Sequence, residues 1–287
     1  MPFQQQKFDR FRALHRQDRA FVMPNPWDAG SAKILAAAGF AALATTSAGY
    51  AFSVGRRDSF AALGRAEIIA NARSIVEATD LPVSADLEDG FGPDPADCAA
   101  TVVEACRAGL VGGSIEDATG DPGDPIYPFD LAVARVRAAA DALRGQPFML
   151  TARAENFLWG RPDLADTIAR LQAFSAAGAD VLYAPGLPDL DAIAQVCRSV
   201  DKPVNVVMGL SGPTWSVDQL SAAGVRRISV GGSMARAALG ALQRAAEEIR
   251  DAGTFTYASQ AIPAGAIAAL MSDAPLGDRK QVADRKA

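Results

Sequence analysis

The chain has few of the residues on which many catalytic sites depend. Its 287 residues include one histidine, His15, which lies in a polar N-terminal segment. A Ser-His-Asp triad, a histidine-ligated zinc site or a histidine general base would each have to use this residue. We therefore expect none of these three sites.

Lysine is almost as scarce, and its positions are informative. Of the five lysines, Lys202 precedes a predicted strand and Lys33 lies in a predicted helix. None follows a predicted strand directly, where a barrel enzyme would place a Schiff-base lysine. We do not expect a Schiff-base aldolase.

Cysteine pairs, basic clusters and long apolar runs are missing as well. Cys98, Cys106 and Cys197 lack CxxC spacing and fall on predicted helices, which indicates buried thiols in a reducing cytoplasm. The 28 Lys and Arg against 33 Asp and Glu give a net charge of −5, a poor basis for binding nucleic acid. The longest charge-free apolar stretch, 34–50, is too short and too polar for a membrane span. No secretory signal is visible at the start. We expect a cytoplasmic protein without nucleic-acid or membrane partners.

Short apolar runs alternate with longer amphipathic ones. The short runs are predicted strands at 20–23, 41–45, 82–86, 111–115, 148–153, 181–184, 204–207 and 227–230. The predicted helices between them include 28–38, 65–78, 95–108, 130–143, 163–177, 190–199, 216–223 and 233–250. Eight such repeats predict an α/β fold, a (β/α)8 TIM-type barrel. An open doubly wound sheet is the rival, but no G-x-G-x-x-G follows the first strand.

No linker divides the chain. We predict a catalytic barrel domain over 1–253 and a C-terminal helical extension over 254–287. The extension has no strand to pair with, so it either packs on a neighbouring subunit or frays at its end.

Acidic residues gather at one predicted end of the barrel. Asp86 and Glu88 follow the third strand, Glu116 the fourth and Glu155 the fifth. Reactive groups of parallel barrels lie at these carboxyl ends. Neighbouring carboxylates repel one another unless a positive charge neutralises them. The oxygen-only donor set predicts Mg²⁺, held by one or two carboxylates and several waters.

One cation and one loop complete the predicted site. Arg153 emerges from an apolar run, and its guanidinium suits bidentate capture of a carboxylate, although a salt bridge to Glu155 or Glu116 is the alternative. The backbone amides of 47–49 form either an oxyanion nest or a plain turn. Without a suitable lysine, the metal must act as the electrophile on a 2-oxo or 2-hydroxy acid.

An ordered set of motifs resembles a known superfamily. The segments are PNPWDAGSA at 24–32, TTS at 45–47, PVSADLEDGFG at 82–92, GGSIED at 112–117 and TARAE at 151–155. Together they resemble the isocitrate lyase / phosphoenolpyruvate mutase superfamily, from about Phe21 to Ala246.

The resemblance implies a barrel whose last helix is exchanged between subunits of a homodimer or homotetramer, with Mg²⁺ as cofactor. It implies Asp86, Glu88 and Glu116 as the metal-site acids. It implies Arg153 as the group that grips the substrate carboxylate. The further residues implied are Asp58 near the reacting centre and Ser47, Ala48, Gly49 and Asn205 as substrate contacts.

One departure from the superfamily bears on the reaction. Its carbon–carbon lyases carry a Lys-Lys-Cys-Gly-His loop after strand 4, whereas this chain reads ATGDPGDP at 118–125. A reaction that needs only enolate stabilisation, such as oxaloacetate decarboxylation, fits better. The final proton would come from water, Tyr50 or Asp58. Cleavage of a 2-hydroxy acid is open if Tyr50 or Glu116 moves the proton. The alternatives are a P–C bond enzyme, such as a phosphonopyruvate hydrolase or mutase, and a non-catalytic binder of a 2-oxo acid.

Overall fold

The computed structural model describes residues 2–58 and 62–272, and strands and helices alternate along them. In chain order the elements are α1 Pro2–Leu14, β1 Phe21–Met23, α2 Ala29–Ala37, β2 Leu43–Ala44, α3 Ser47–Ser53, α4 Arg65–Glu77, β3 Val83–Asp86, α5 Pro95–Arg107, β4 Gly112–Glu116, α6 Phe129–Ala142, β5 Met149–Arg153, α7 Leu164–Ala176, β6 Val181–Tyr183, α8 Leu190–Ser199, β7 Val204–Val207, α9 Val217–Ala222, β8 Arg227–Ser229, α10 Ser233–Ala252, a 3₁₀ helix at Thr256–Gln260, and α11 Ala264–Met271.

The eight strands form one parallel sheet that closes almost completely. Their order is β1-β8-β7-β6-β5-β4-β3-β2. At the seam, the Ala44 amide donates to the Pro24 carbonyl at 3.0 Å. The Asn25 side chain bridges the same seam, since its Nδ2 donates to the Thr45 carbonyl and its Oδ1 accepts from the amides of Val230 and Gly231. The TIM-type barrel is confirmed, and the open doubly wound sheet is excluded.

The helices cover the barrel with one buried stripe each. On α5, for example, Cys98, Val102 and Ala105 are fully buried at helical spacing, while the opposite face is exposed. Cys98 and Cys106 are buried, Cys197 is half-buried, and all three thiols are free. The cysteines therefore serve as small core residues, as the sequence predicted.

An unpredicted helix, α1, plugs the amino end of the barrel. Its Phe11 is fully buried against Phe21, Met149 and Val181. The prediction failed because three apolar residues, spaced three apart, are set in an otherwise polar segment. His15 packs edge-on against Phe11 and Phe21 at this end of the barrel, opposite the acidic residues.

The last described elements lie against the same chain. α10 ends at Gly253, whose φ of 65° is the left-handed conformation that favours glycine at a helix end. α11 packs on α2, where Lys33 Nζ donates to the Met271 carbonyl at 2.8 Å. Residues 273–287 of the predicted extension lie outside the described residues. The domain division and the exchange of a helix between subunits stay predictions. Among the described helices, none combines the length and apolar character needed to cross a membrane.

Candidate active site

A cavity of about 750 Å³ opens at the carboxyl end of the barrel. Eight of the predicted site residues line it: Ser47, Ala48, Asp58, Asp86, Glu88, Glu116, Arg153 and Asn205. They come from β3, β4, β5 and β7 and from the segments that follow β2 and β3. The parallel strands therefore bring together residues that lie up to 158 positions apart.

Arg153, the last residue of β5, lies at the centre of the site and pairs with three carboxylates. Its Nη1 lies 3.1 Å from Asp86 Oδ1, its Nη2 2.9 Å from Glu116 Oε2, and its Nε 2.8 Å from Glu155 Oε1. The guanidinium also lies over the Tyr183 ring, 5.1 Å from its centroid. Each of its nitrogen atoms therefore meets a carboxylate, and two of its five N–H groups are left to donate elsewhere. The salt bridges to Glu116 and Glu155 that the sequence offered as an alternative are both present.

Asp86 is fixed from two sides. Its Oδ2 accepts from the Ser47 hydroxyl at 2.9 Å and from the Ser47 amide at 3.3 Å, while Oδ1 faces Arg153. Its own amide donates to the Thr45 hydroxyl at 3.0 Å. The orientation of this carboxylate is thus set before any ligand arrives.

Glu88 stands apart from this network. Its φ of 48° lies in the left-handed region, which costs a non-glycine residue about 1 kcal/mol. No hydrogen bond or ion pair to its carboxyl occurs within the described parts of the chain. Burial, and then the negative charges of Asp86, Asp89 and Asp58, raise its pKa to about 8. A carboxyl group that is buried among other acids and held in a strained conformation is typical of a site built for a positive ligand.

The other acids of the site are perturbed in the same direction. Burial raises the pKa of Glu116 well above its usual value and also raises that of Glu155, and Arg153 only partly opposes this. Desolvation by the pocket wall, followed by the charge of Asp86, raises the pKa of Asp58, although that residue keeps contact with solvent. Burial alone would lower the pKa of Arg153, but Glu116, Glu155 and Asp86 raise it. One cation therefore faces an excess of acids.

The donor set fits Mg²⁺ bound largely through water. Over residues 2–58 and 62–272, no three His, Cys, Asp or Glu side chains converge as a ready-made metal cluster. Mg²⁺ does not require such a cluster, because it keeps several waters and takes one or two carboxylates. Asp86, Glu88 and Glu116 line the same cavity and offer carboxylate oxygen donors.

Of the two alternatives that the sequence left open for 47–49, an oxyanion nest and a turn, the structure has a turn. The segment forms the first turn of α3, with Thr46 as N-cap, and the Gly49 amide donates to Thr46 Oγ1 at 3.2 Å. The Gly49 amide therefore already has an acceptor, and of residues 47–49 Ser47 and Ala48 line the cavity whereas Gly49 does not. Tyr50 packs against the hydrophobic core and does not line the cavity. The helical turn explains this difference, because it rotates Tyr50 away from the position that an extended loop would give it.

Two acids of the same motifs are structural. Asp89 Oδ1 accepts from the Phe91 amide, and its Oδ2 lies 3.9 Å from Arg135. Asp117 accepts from the Glu155 amide at 2.8 Å and from Arg170 Nη1 at 3.1 Å. Neither residue lines the cavity.

Several cavity residues escaped the sequence reasoning. Arg236, on the first turn of α10, is exposed, and Leu158 and Trp159 follow β5. Arg227 opens β8 inside the barrel. An arginine at the start of a predicted barrel strand was the available signal for Arg227, whereas Leu158 and Trp159 belong to no motif that the sequence analysis used.

The chain matches proteins of known family. The family model described as phosphoenolpyruvate phosphomutase matches residues 11–250. The chain is 56% identical to a putative lyase/mutase from Burkholderia cenocepacia J2315, with a TM-score of 0.92 over 96% of this chain and 98% of that one. A putative phosphonomutase from the same organism is 35% identical, with a TM-score of 0.76 over 87% of this chain and 99% of that one. Oxaloacetate decarboxylase from Chromohalobacter salexigens is 28% identical over 87% of this chain and 88% of its own length.

Proposed function

The chain belongs to the phosphoenolpyruvate mutase / isocitrate lyase superfamily, and from this premise we propose that it is a Mg²⁺-dependent carbon–carbon lyase. Its substrate is a small 2-oxo or 2-hydroxy carboxylic acid, which reacts through an enolate. Oxaloacetate decarboxylation is the first reaction to test, and a similar protein carries that name. The predicted homodimer or homotetramer is part of the same proposal.

The observation that carries the proposal is the charge imbalance around Arg153. Asp86, Glu116 and Glu155 contact this one guanidinium, and Glu88 lies in the same cavity without a partner among the described residues. Buried carboxylates are costly unless paired. A divalent cation held by these acids would offset the excess negative charge.

Asp86, with Glu88 and Glu116, would hold the metal. When bound, Mg²⁺ supplies a Lewis acid that polarises the keto group and stabilises the negative charge that develops on its oxygen. Ser47 and Arg153 fix the orientation of the Asp86 carboxylate, which would present its oxygens to the ion.

The remaining groups bind and orient the acid. The two free N–H groups of Arg153 and the amide of Ala48 are donors for carboxylate oxygens, and Asn205 adds a polar contact. In decarboxylation the bond from C3 to the departing carboxylate breaks, CO₂ leaves, and the electron pair passes into the enolate. A proton is then added at C3. Asp58 or water supplies this proton, and the raised pKa of Asp58 keeps its carboxyl protonated to a higher pH. Tyr50 does not supply it, because it does not line the cavity.

Steady-state assay of purified protein tests the proposal. We expect oxaloacetate or a related acid from a panel that includes methylisocitrate to turn over with Mg²⁺, and the activity to disappear with EDTA and return with excess Mg²⁺. Asp86→Asn should lower kcat/KM by about a hundredfold or more. Asp121→Asn is the matched control, because Asp121 lies on an exposed loop outside the cavity. No turnover on the whole panel contradicts the proposal.

A P–C bond enzyme is the second candidate, because the chain is also similar to a putative phosphonomutase. ³¹P NMR with phosphonopyruvate separates the two. Release of phosphate or migration of the phosphoryl group identifies the second candidate, and an unchanged spectrum excludes it. Binding of a 2-oxo acid with no turnover in either assay would favour the remaining hypothesis, that the protein is a non-catalytic binder.

A further inference from the structure

A row of polar side chains crosses the barrel interior. Strand register places Arg153 beside Tyr183, Tyr183 beside Asn205, and Asn205 beside Arg227. Arg153 ends β5, whereas Arg227 begins β8, so the row runs from the mouth of the barrel toward its floor. The barrel interior therefore contains two arginines, one at each end of the row.

The two arginines differ in their partners. Arg153 contacts three carboxylates, but Arg227 contacts none within the described residues. Arg227 Nε donates to Asn205 Oδ1 at 2.9 Å and its Nη2 donates to Thr151 Oγ1 at 3.1 Å, while its Nη1 finds no partner over residues 2–58 and 62–272. Its side chain is 3% exposed. Three N–H groups of a buried cation are thus unused.

A buried charge without a counter-ion is expensive, and no carboxylate in the part of the chain that the structure describes contacts Arg227 to offset that cost. Burial lowers its pKa to about 9, so the guanidinium is still charged at neutral pH. His15, below it, does not supply an anion. Its Nδ1 lies 2.8 Å from the Phe11 carbonyl and must donate there, which leaves Nε2 as a neutral acceptor.

Arg227 belongs to the same cavity as the acidic site. It lines that cavity together with Ser84, Asn205 and Ser229, and Asn205 Nδ2 donates to Ser229 Oγ at 3.0 Å. The mouth of this cavity is acidic, and its floor is cationic and rich in hydroxyl groups. An anion at the floor would meet hydrogen-bond donors and no carboxylate of the described residues beside Arg227, whereas at the mouth it would meet the charges of Asp86, Glu116 and Glu155.

We propose that Arg227 and Ser229 form an anion subsite at the floor of the cavity, which takes the distal carboxylate of a dicarboxylic acid. The assignment of that carboxylate to a substrate rests on the proposed function, but the anion subsite does not. Arg227 is therefore a specificity-determining residue that separates dicarboxylates from monocarboxylates.

Calorimetric binding of two unreactive acids tests the subsite. Succinate and butyrate share a four-carbon chain and differ by one carboxylate, and both are titrated with Mg²⁺ present. We expect the wild-type protein to bind succinate about tenfold or more tightly than butyrate, since a charge-assisted contact contributes about 1.4 kcal/mol or more. Arg227→Met should remove this preference and leave butyrate binding within about twofold. Arg227→Lys should restore part of it.

Arg226→Met is the matched control, because Arg226 adjoins Arg227 in the chain, donates to the Asp18 carbonyl at 3.1 Å and does not line the cavity. It should keep the difference between the two acids. A wild-type protein that binds both acids equally overturns the subsite, and water then satisfies Arg227. The wild-type comparison can therefore overturn the subsite even if the Arg227 variants fail to fold. Equal weakening of both acids by Arg227→Met also overturns it.

The subsite and the proposed function fail in different experiments. Loss of lyase activity on every substrate, with the succinate preference intact, removes the function and keeps the subsite. Turnover of a 2-oxo acid without any succinate preference supports the function and removes the subsite.

Discussion

The only histidine of the chain should make the fold sensitive to acid. His15 is 4% exposed at the floor of the barrel, and burial, followed by the charge of Arg227, lowers its pKa from 6.5 to about 3. Below pH 6.5, His15 therefore binds a proton in the unfolded chain but stays neutral in the folded chain. The stability that His15 contributes is complete above pH 6.5 and is lost as the pH falls from 6.5 toward 3. Each pH unit in this window costs about 1.4 kcal/mol, or about 2 kcal/mol by pH 5.

Urea unfolding at pH 8 and pH 5 measures this loss. His15→Phe keeps the ring contacts with Phe11 and Phe21 but gives up the hydrogen bond to the Phe11 carbonyl. At pH 8 we expect the variant to be about 1 kcal/mol less stable than wild type. At pH 5 the free-energy difference should have moved by about 2 kcal/mol in favour of the variant.

Comparing two proteins at each pH removes the contributions of the buried carboxyl groups, which both proteins share. Arg12→Gln, an exposed change on the same helix, should follow wild type at both pH values. A free-energy difference between wild type and His15→Phe that does not change with pH would refute the reasoning. So would a change of opposite sign, because it would mean that folded His15 is charged.

Three further substitutions test other parts of the structure. Arg153→Lys should raise KM about tenfold or more, because one ammonium group cannot pair with three carboxylates and also bind the substrate. A near-normal KM in steady-state kinetics would count against substrate binding by Arg153. Gly49→Ala should cost about 2 kcal/mol and lower activity, because the new Cβ would lie 2.6 Å from Thr46 Cγ2 and 3.1 Å from Trp27 Cβ. Thermal unfolding measures this beside Gly240→Ala on α10, whose new Cβ would meet one Arg244 guanidinium nitrogen at 3.3 Å. Equal stabilities of the two variants would contradict the packing. Asp117→Asn should lower the free energy of unfolding by about 1 to 3 kcal/mol, because Arg170 loses a buried partner. The Mg²⁺ dependence of the variant's activity should match that of wild type. A shifted Mg²⁺ titration would place Asp117 in the metal site.

The strands were predictable because burial on both faces leaves a strong signal. The eight predicted runs overlap all eight strands, and 204–207 coincides with β7. Helix α1 was missed because its buried face rests on a few apolar residues in a polar segment. Helix α3 was missed because Thr46 caps a turn that the sequence also allows to be extended.

The acidic mouth was predictable for a related reason. Polar residues that end or directly follow the strands of a parallel barrel lie at its carboxyl end. This rule correctly placed Asp86, Glu116 and Arg153 together. What the sequence could not supply is the partner of each group. The triple pairing of Arg153 and the solitary charge of Arg227 depend on strand register, which no local pattern encodes.

A crystal structure with Mn²⁺ in place of Mg²⁺, and with oxalate bound, tests the metal claim directly. We expect an anomalous peak at about 2.1 to 2.2 Å from an Asp86 carboxylate oxygen, with oxalate between the ion and Arg153. An empty mouth, or an ion bound elsewhere while oxalate occupies the cavity, would contradict the account.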